Sequence, residues 1–161
     1  MAIALFRVDE RLIHGQVVVG WGTLLHPQLI VVVDDELAQS PWEQELYCLG
    51  LPPQLAARFA SVAEASRALP DWQAAATRVI VLTRDVRSMR RLFEGGTLPE
   101  AEVNIGGLHF APGRRAVLPY VYLSDEERAE IVRLSELGVQ VSARDLPGAR
   151  RVDLAHLLRT E

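Results

Sequence analysis

The chain has 161 residues, enough for one domain with a hydrophobic core, and its formal net charge of −4 does not favour a nucleic-acid or anionic-membrane partner. All 17 basic residues are arginine, which excludes the lysine of a Walker-A phosphate loop and a lysine Schiff base. The single cysteine, Cys48, excludes an intrachain disulfide and a cysteine metal cluster, and the four histidines lack the spacing of a zinc site.

The first ten residues hold too short an apolar run for a signal peptide. No stretch of the chain approaches the ~20 apolar residues of a membrane span. We therefore expect a cytoplasmic protein. Cys48 has no base or cationic neighbour in the sequence, so we expect a buried or half-buried thiol.

Continuous apolar runs predict the strands. Residues 3–8, 29–36 and 78–85 are predicted as strands, and the last two contain unbroken runs of mainly β-branched residues. Such runs are typical of strands covered on both faces, as in a parallel α/β sheet. Weaker strands are predicted over residues 57–62, 101–105, 120–123 and 139–143.

Helices are predicted between these strands. Asp85 is expected to cap a helix that ends at Gly95 and Gly96, and Ser124 begins a capping box for a helix closed by Gly138. Shorter helices are predicted over residues 41–49, 63–69 and 153–158. Strands that alternate with helices favour a single α/β domain with a mostly parallel sheet.

The segment over residues 16–25 is ambiguous, because its two glycines and three valines do not favour a helix by propensity. Val17, Trp21 and Leu24 would nevertheless fall on one face of a helix. A helix that starts at Gln16 would also return the chain to the next parallel strand.

Polar residues follow the predicted strands, and ligands of open parallel sheets bind beyond the carboxyl ends of the strands. The four sets are Asp9, Arg11 and His14; Asp34, Asp35 and Glu36; Thr83, Arg84 and Asp85; and Asn104 with Gly106 and Gly107. The first set contains the most reactive combination, a histidine with an arginine and an acid. The histidines at positions 26, 109 and 156 are interpreted as ordinary.

His14 lies directly before Gly15 and the expected helix start at Gln16. Free N–H groups and the positive end of the helix dipole suit an anion at such a point, and glycine lets the backbone approach a ligand closely. Arg7 and Arg11 could pair with phosphate oxygens. The segment around His14 therefore predicts an anion site in which Arg7, Gly15 and Gln16 bind phosphate.

A neutral imidazole nitrogen is nucleophilic near neutral pH, so His14 could accept a phosphoryl group while Asp9 or Asp35 holds its second nitrogen. Taken alone, these residues leave simpler interpretations open. His14 could be an ordinary surface histidine, and the two arginines could pair with neighbouring acids. The acidic run of the second set could cap the next helix, and the glycine pair could form a plain turn.

The stretch RVDERLIHGQV, residues 7–17, resembles the phosphorylation-site signature of one family of proteins. These are the IIB components of the mannose/fructose/sorbose family of the bacterial phosphoenolpyruvate-dependent sugar phosphotransferase system. IVVVDDELA (30–38) is similar to the family's second strand and acidic cluster, and LFEGGTLPEAEVNIGGLHF (92–110) to its glycine-rich segment. The resemblance covers essentially the whole chain and implies one domain over residues 1–161, a three-layer α/β/α sandwich with a mostly parallel central sheet.

By this resemblance the protein would be a phosphotransferase that carries the phosphoryl group on Nδ1 of His14. It would accept the group from a phosphohistidine of a IIA protein or domain and pass it to a sugar taken up through the membrane IIC and IID subunits. Arg11 and Asp9 match the arginine and aspartate of the motif, and Asp35 matches the acid of the second strand and is expected to orient the site. The scheme needs no metal and no cofactor, and it is compatible with a homo-oligomer.

The sequence departs from the family pattern at two positions. Gly20 stands where many members have arginine, and Leu108 replaces a methionine. The missing cation at Gly20 motivates a second hypothesis, a regulatory phosphoprotein whose phosphorylated His14 is read by a protein partner without sugar transport. The absence of neighbouring genes for IIC and IID would favour it. A plain binding module without phosphotransfer is a third hypothesis, which the intact signature disfavours.

Overall fold

Seven of the strands in a computed structural model, which describes residues 2–95, 98 and 100–159, form one sheet. The strands are β1 (Ile3–Val8), β2 (Leu29–Val33), β3 (Ala56–Ala60), β4 (Val79–Thr83), β5 (Glu102–Ile105), β6 (Arg115–Leu118), β7 (Val121–Leu123), β8 (Gln140–Ala143) and β9 (Val152–Asp153). The sheet has the order β3-β2-β4-β1-β5-β8-β9. Its first six strands pair in parallel, and β9 is antiparallel to β8. The predicted mostly parallel sheet is confirmed.

The helices connect these strands. They are α1 (Gly22–Leu25), α2 (Pro41–Cys48), α3 (Val62–Ala74), α4 (Val86–Gly95), α5 (Asp125–Glu136) and α6 (Leu154–Leu157). The predicted caps are confirmed, since the Asp85 carboxylate accepts a hydrogen bond from Ser88 N–H at 2.7 Å and Ser124 forms the capping box of α5. Gly96, the second of the two glycines predicted to end α4, lies outside the described residues. No helix among the described residues is long and apolar enough to span a membrane.

The core lies on both faces of the sheet, as the side chains of β2 illustrate. Val31 and Val33 pack into a large cluster on one face, and Ile30 and Val32 pack into a smaller cluster on the other. The larger cluster includes Leu69 of α3, Met89 of α4 and Leu134 of α5, and the smaller includes Val17 and Leu37. Because both faces are covered, the three-layer arrangement is confirmed.

Three local predictions differ from the structure. Residues 120–123 do not join the main sheet, because β7 pairs antiparallel with β6 in a separate hairpin whose first strand is too exposed to show an apolar run. Helix α3 continues past the predicted end through Pro70, since Leu69 and Trp72 both face the core. Cys48 is exposed and not buried.

The segment after His14 is helical but begins with a π-helical turn, Gln16–Trp21, that leads into α1. Val17 and Trp21 are buried as predicted, whereas Leu24 is 59% exposed. A π-helical turn closes i→i+5 hydrogen bonds and is wider than an α-helical turn. The prediction that Leu24 shares a helix face with Val17 and Trp21 is therefore wrong, because it assumed α-helical spacing throughout.

Candidate functional site

The loop after β1 begins at the carboxyl ends of the central strands. Asp9 N–H donates to the Thr83 carbonyl at 2.9 Å, and Glu10 N–H donates to the Gly107 carbonyl at 3.0 Å. The next turn places buried Leu12 in the left-handed region, with a φ of 57°. This conformation is uncommon for a residue with a branched side chain, and it marks the backbone of the loop as strained. The site lies where the topology predicts it.

The carboxylate of Asp9 is fully buried and connects the parts of the site. Its Oδ1 accepts the Arg11 backbone N–H at 3.1 Å, and its Oδ2 accepts the Gly107 N–H at 3.3 Å and an Nη2 bond from Arg7 at 3.1 Å. Burial raises the pKa of Asp9, but the contact with His14 and the charge of Arg7 outweigh burial and lower it from an ordinary 3.8 to about 2. Asp9 is therefore ionised near neutral pH.

His14 turns one ring nitrogen toward this carboxylate. Nε2 lies 3.0 Å from Oδ2 of Asp9, although its N–H bond does not point directly at the oxygen. The side chain is 15% exposed, and Nε2 itself is buried. The nitrogen that remains for chemistry is Nδ1. A carboxylate that holds the proton on Nε2 leaves the lone pair on Nδ1 free.

Arg7 lies beneath the site and is fully buried. Its guanidinium donates to the side-chain oxygens of Asp9 and Asn104 and to the carbonyls of Arg144 and Asp145. These five hydrogen bonds use all five N–H groups of the side chain. The guanidinium also lies 5.5 Å from the centre of the Trp21 ring. The geometry argues against the predicted phosphate contact, because every donor of Arg7 already has a protein partner.

Arg11, Gln16 and Gly15 form the open side of the site. The Arg11 side chain is 44% exposed, and its Nη2 donates to Oε1 of Gln16 at 2.8 Å. A Cβ on Gly15 would meet no atom of the described residues within 4 Å. Arg11 Nε lies 3.8 Å from Oδ1 of Asp9, so an exposed cation and an open backbone position lie close to the acid that His14 contacts. Their role in binding phosphate stays a prediction.

The two glycines after β5 have a packing role. A Cβ on Gly106 would lie only 2.4 Å from Cζ of Arg7, so a larger residue cannot fit there. A Cβ on Gly107 would lie 3.4 Å from Oδ1 of Asp9. The pair therefore lets β5 approach the buried Arg7 and Asp9 closely, which is more than a plain turn requires.

Asp35 is not brought to His14. Its carboxylate accepts the Val62 N–H at 2.8 Å, at the start of α3, and pairs with Arg91 at 3.1 Å. The bond from Val62 lowers the pKa of Asp35. Asp35 therefore has helix-capping contacts. The sequence left open whether Asp9 or Asp35 lies next to His14, and in the structure that acid is Asp9.

A network of charged residues beside the site was not predicted. The carboxylate of Glu10 accepts a bond from the His109 backbone N–H and one from Arg114 at 3.2 Å, and Nδ1 of His109 lies 3.3 Å from it. Arg114 also makes two bonds with Glu127. The only sequence signal was that His109 follows the glycine pair after one intervening residue, Leu108, which a single sequence does not distinguish from an ordinary loop.

The arrangement suits the transfer of an anionic group to and from His14. It contains a nucleophilic nitrogen, a buried acid that compensates positive charge on the imidazole, and an exposed arginine that can approach phosphate oxygens. No group of three or more His, Cys, Asp or Glu side chains in the described part of the chain is placed to hold a metal ion.

Comparisons with known proteins agree with this chemistry. Residues 3–161 match the family model described as PTS system sorbose subfamily IIB component. The chain is 30% identical over 152 residues to the N-acetylgalactosamine-specific phosphotransferase enzyme IIB component 1 of Escherichia coli K12, covering 92% of this chain and 94% of the relative. It is 31% identical over 157 residues to the mannose-specific EIIAB component of the same strain, covering 96% of this chain and 48% of the relative.

The fold is also similar to solved structures. The crystal structure of the IIBSor domain of the sorbose permease from Klebsiella pneumoniae aligns with a TM-score of 0.88 and 26% sequence identity, covering 100% of this chain and 99% of that one. The crystal structure of an N-acetylgalactosamine-specific IIB component 1 from Escherichia coli aligns with a TM-score of 0.83 and 30% identity, covering 94% and 98%.

Proposed function

The chain belongs to the sorbose subfamily of IIB components of the phosphotransferase system, and from this premise we propose that His14 is its phosphoryl carrier. The observation that carries the proposal is the 3.0 Å approach of Nε2 of His14 to the buried carboxylate of Asp9. Because Nε2 faces the ionised carboxylate, a proton is favoured on that nitrogen, and the ring presents Nδ1 as the nucleophile. IIB components are phosphotransferases of sugar uptake, and His14 is the histidine of the signature.

The donor in this proposal is a phosphohistidine of a IIA protein or domain. The lone pair of Nδ1 forms a new P–N bond as the P–N bond to the donor imidazole breaks, and the donor ring leaves with that electron pair. The His14 ring keeps its Nε2 proton and becomes positively charged, which the ionised Asp9 compensates. The mannose-specific relative supports a IIA partner, since its name combines A and B components.

The acceptor is the hydroxyl of a sugar bound by the membrane IIC and IID subunits. The P–N bond returns its electron pair to Nδ1, the hydroxyl oxygen forms the P–O bond, and the hydroxyl proton passes to solvent water. Arg11 stabilises the charge on the phosphoryl oxygens during both transfers. Arg7 acts indirectly, because its buried hydrogen bonds hold Asp9 in place. We place these transfers in the cytoplasm, where the family resemblance puts a IIB component.

A labelling experiment tests the assignment of His14. The protein is incubated with labelled phosphoenolpyruvate, the general phosphotransferase proteins and a IIA protein of the mannose family. We expect an acid-labile, base-stable label on the wild-type protein and none on His14→Ala. His156→Ala, a histidine of α6 outside the site, should keep the label. Label on a folded His14→Ala protein would contradict the proposal.

A further inference from the structure

A second histidine–carboxylate pair lies beside the first. Nδ1 of His109 is 3.3 Å from Oε1 of Glu10, and the His109 side chain is 53% exposed. Glu10 directly follows Asp9 in the chain, so two adjacent acids each hold a different histidine. The contact with Glu10 engages Nδ1 of His109 and leaves Nε2 for a ligand.

Gly107 separates this second pair from the proposed phosphoryl site. The position that a Cβ on Gly107 would take is 3.4 Å from Oδ1 of Asp9, 3.4 Å from Cε1 of His109 and 3.6 Å from Nη2 of Arg11. Cε1 of His109, the ring carbon bonded to Nε2, and Nη2 of Arg11 are therefore no more than about 7 Å apart. A phosphoryl group that accepts a hydrogen bond of about 2.8 Å on each side can bridge two donors at that separation.

We propose that His109 is a phosphate-binding residue of the transfer reaction, whose Nε2–H donates to an oxygen of the phosphoryl group on the side opposite Arg11. The inference rests on the proposed role of His14 and adds a second donor to that site. No covalent bond to His109 forms or breaks. Its contribution is a hydrogen bond that strengthens as charge accumulates on the equatorial oxygens of a loose transition state.

Among the described residues, three carboxylates and two guanidiniums lie around His109 before the phosphoryl group arrives. Glu10 faces Nδ1, and Arg114 donates to the His109 carbonyl at 2.7 Å while it pairs with Glu127. Arg11 and Asp9 face the ring across Gly107. A phosphoryl group adds about two negative charges to this environment. It therefore favours the protonated imidazole, in which both Nδ1–H and Nε2–H donate.

Two substitutions separate the hydrogen bond of His109 from its charge. His109→Gln keeps an N–H donor near the position of Nε2 but cannot titrate, and His109→Leu removes the donor. Single-turnover transfer from phosphorylated IIA is measured between pH 6 and pH 9. We expect His109→Leu to slow the transfer at least tenfold at pH 6.5, and His109→Gln to slow it less than threefold. The wild-type rate should show a fall with rising pH that both variants lack.

The outcomes distinguish this inference from the proposed function. If wild-type protein is labelled on His14 but His109→Leu keeps the wild-type rate and pH profile, the role of His109 is wrong and that of His14 stands. If His14 is not labelled at all, both fail. Thermal unfolding checks the fold of each variant, and the pH profile of His109→Gln decides the question if His109→Leu is misfolded. His156→Gln serves as the control and should match the wild-type profile.

Discussion

Arg7 and Arg11 stand four residues apart in one motif but have different environments. Arg7 is fully buried and donates all its N–H groups to protein acceptors, whereas the Arg11 side chain is 44% exposed and has one strong partner, Gln16. A buried guanidinium with no spare donor holds the structure of the site. An exposed guanidinium can rearrange to meet an arriving phosphoryl group. We therefore expect the chemistry of the motif to depend on Arg11.

Arg11→Ala should slow transfer from phosphorylated IIA at least tenfold, which corresponds to about 1.4 kcal/mol of activation free energy. The free energy of unfolding should change by less than ~0.5 kcal/mol, since the Arg11 side chain lies at the surface and packs into neither core cluster. Rapid-quench kinetics and urea denaturation measure the two effects. Arg67→Ala, an exposed arginine of α3, is the control and should leave the transfer rate unchanged. An unaltered rate for Arg11→Ala would reduce Arg11 to a structural role.

At the scale of elements, the carboxyl ends of β1 and β5 meet so closely that one position between them excludes a side chain. Arg7 of β1 pairs in register with Asn104 of β5, and its guanidinium reaches the backbone at Gly106. The guanidinium is held from several directions and cannot move aside. The glycine is thus required by the neighbouring strand.

Gly106→Ala should lower the free energy of unfolding by about 1–3 kcal/mol, the usual cost of overpacking a buried position. Its Cβ would lie 2.4 Å from Cζ of Arg7. Gly15→Ala is the matched control for stability, because its Cβ would meet no atom in the described part of the chain within 4 Å and its backbone is already right-handed helical. Urea denaturation of both variants measures the difference. Equal midpoints would show that β5 and Arg7 can separate at no cost.

The departure at Gly20 has an explanation in the packing of two elements. A Cβ at this position would lie 2.6 Å from Cδ2 of Leu146, so the loop after β8 occupies the space that a larger residue would need. Trp21 of the same π-helical turn donates to the Asp145 carbonyl at 3.2 Å, which holds the loop against the turn. The loss of the common arginine thus accompanies close contact between this loop and the turn.

At the scale of the whole molecule, the ionised Asp9 makes the free energy of unfolding depend on pH below pH ~4. Because its pKa is about 2 in the folded protein and 3.8 is ordinary, the unfolded chain binds the proton first as the pH falls. The stabilisation is complete above pH ~4 and is lost as the pH falls from there toward 2, with a total of about 2 kcal/mol.

Urea denaturation of wild type and Asp9→Asn at pH 6 and pH 3 isolates this contribution. The difference in unfolding free energy between the two proteins should shrink by about 1 kcal/mol at pH 3, where part of the Asp9 contribution is lost. Other carboxylates titrate alike in both proteins and cancel in the comparison. A difference that does not vary with pH would mean that Asp9 has no lowered pKa.

The sequence alone predicted the parts of the molecule that depend on local patterns. Unbroken β-branched runs identified the central strands, and the caps at Asp85 and Ser124 identified two helix starts. The signature around His14 also predicted the family, because so many positions of one short segment agree with it. These features are readable because burial on both faces and capping each restrict residue choice within a few neighbouring positions.

Only the tertiary structure decided which residues meet. Asp9 rather than Asp35 lies against His14, and Arg7 is buried where it was expected to bind phosphate. His109, nearly a hundred residues from Glu10 in the chain, reaches the same site through the pairing of β1 with β5. Contacts of this kind depend on strand order and on the direction of each side chain. A single sequence does not encode those in any local pattern.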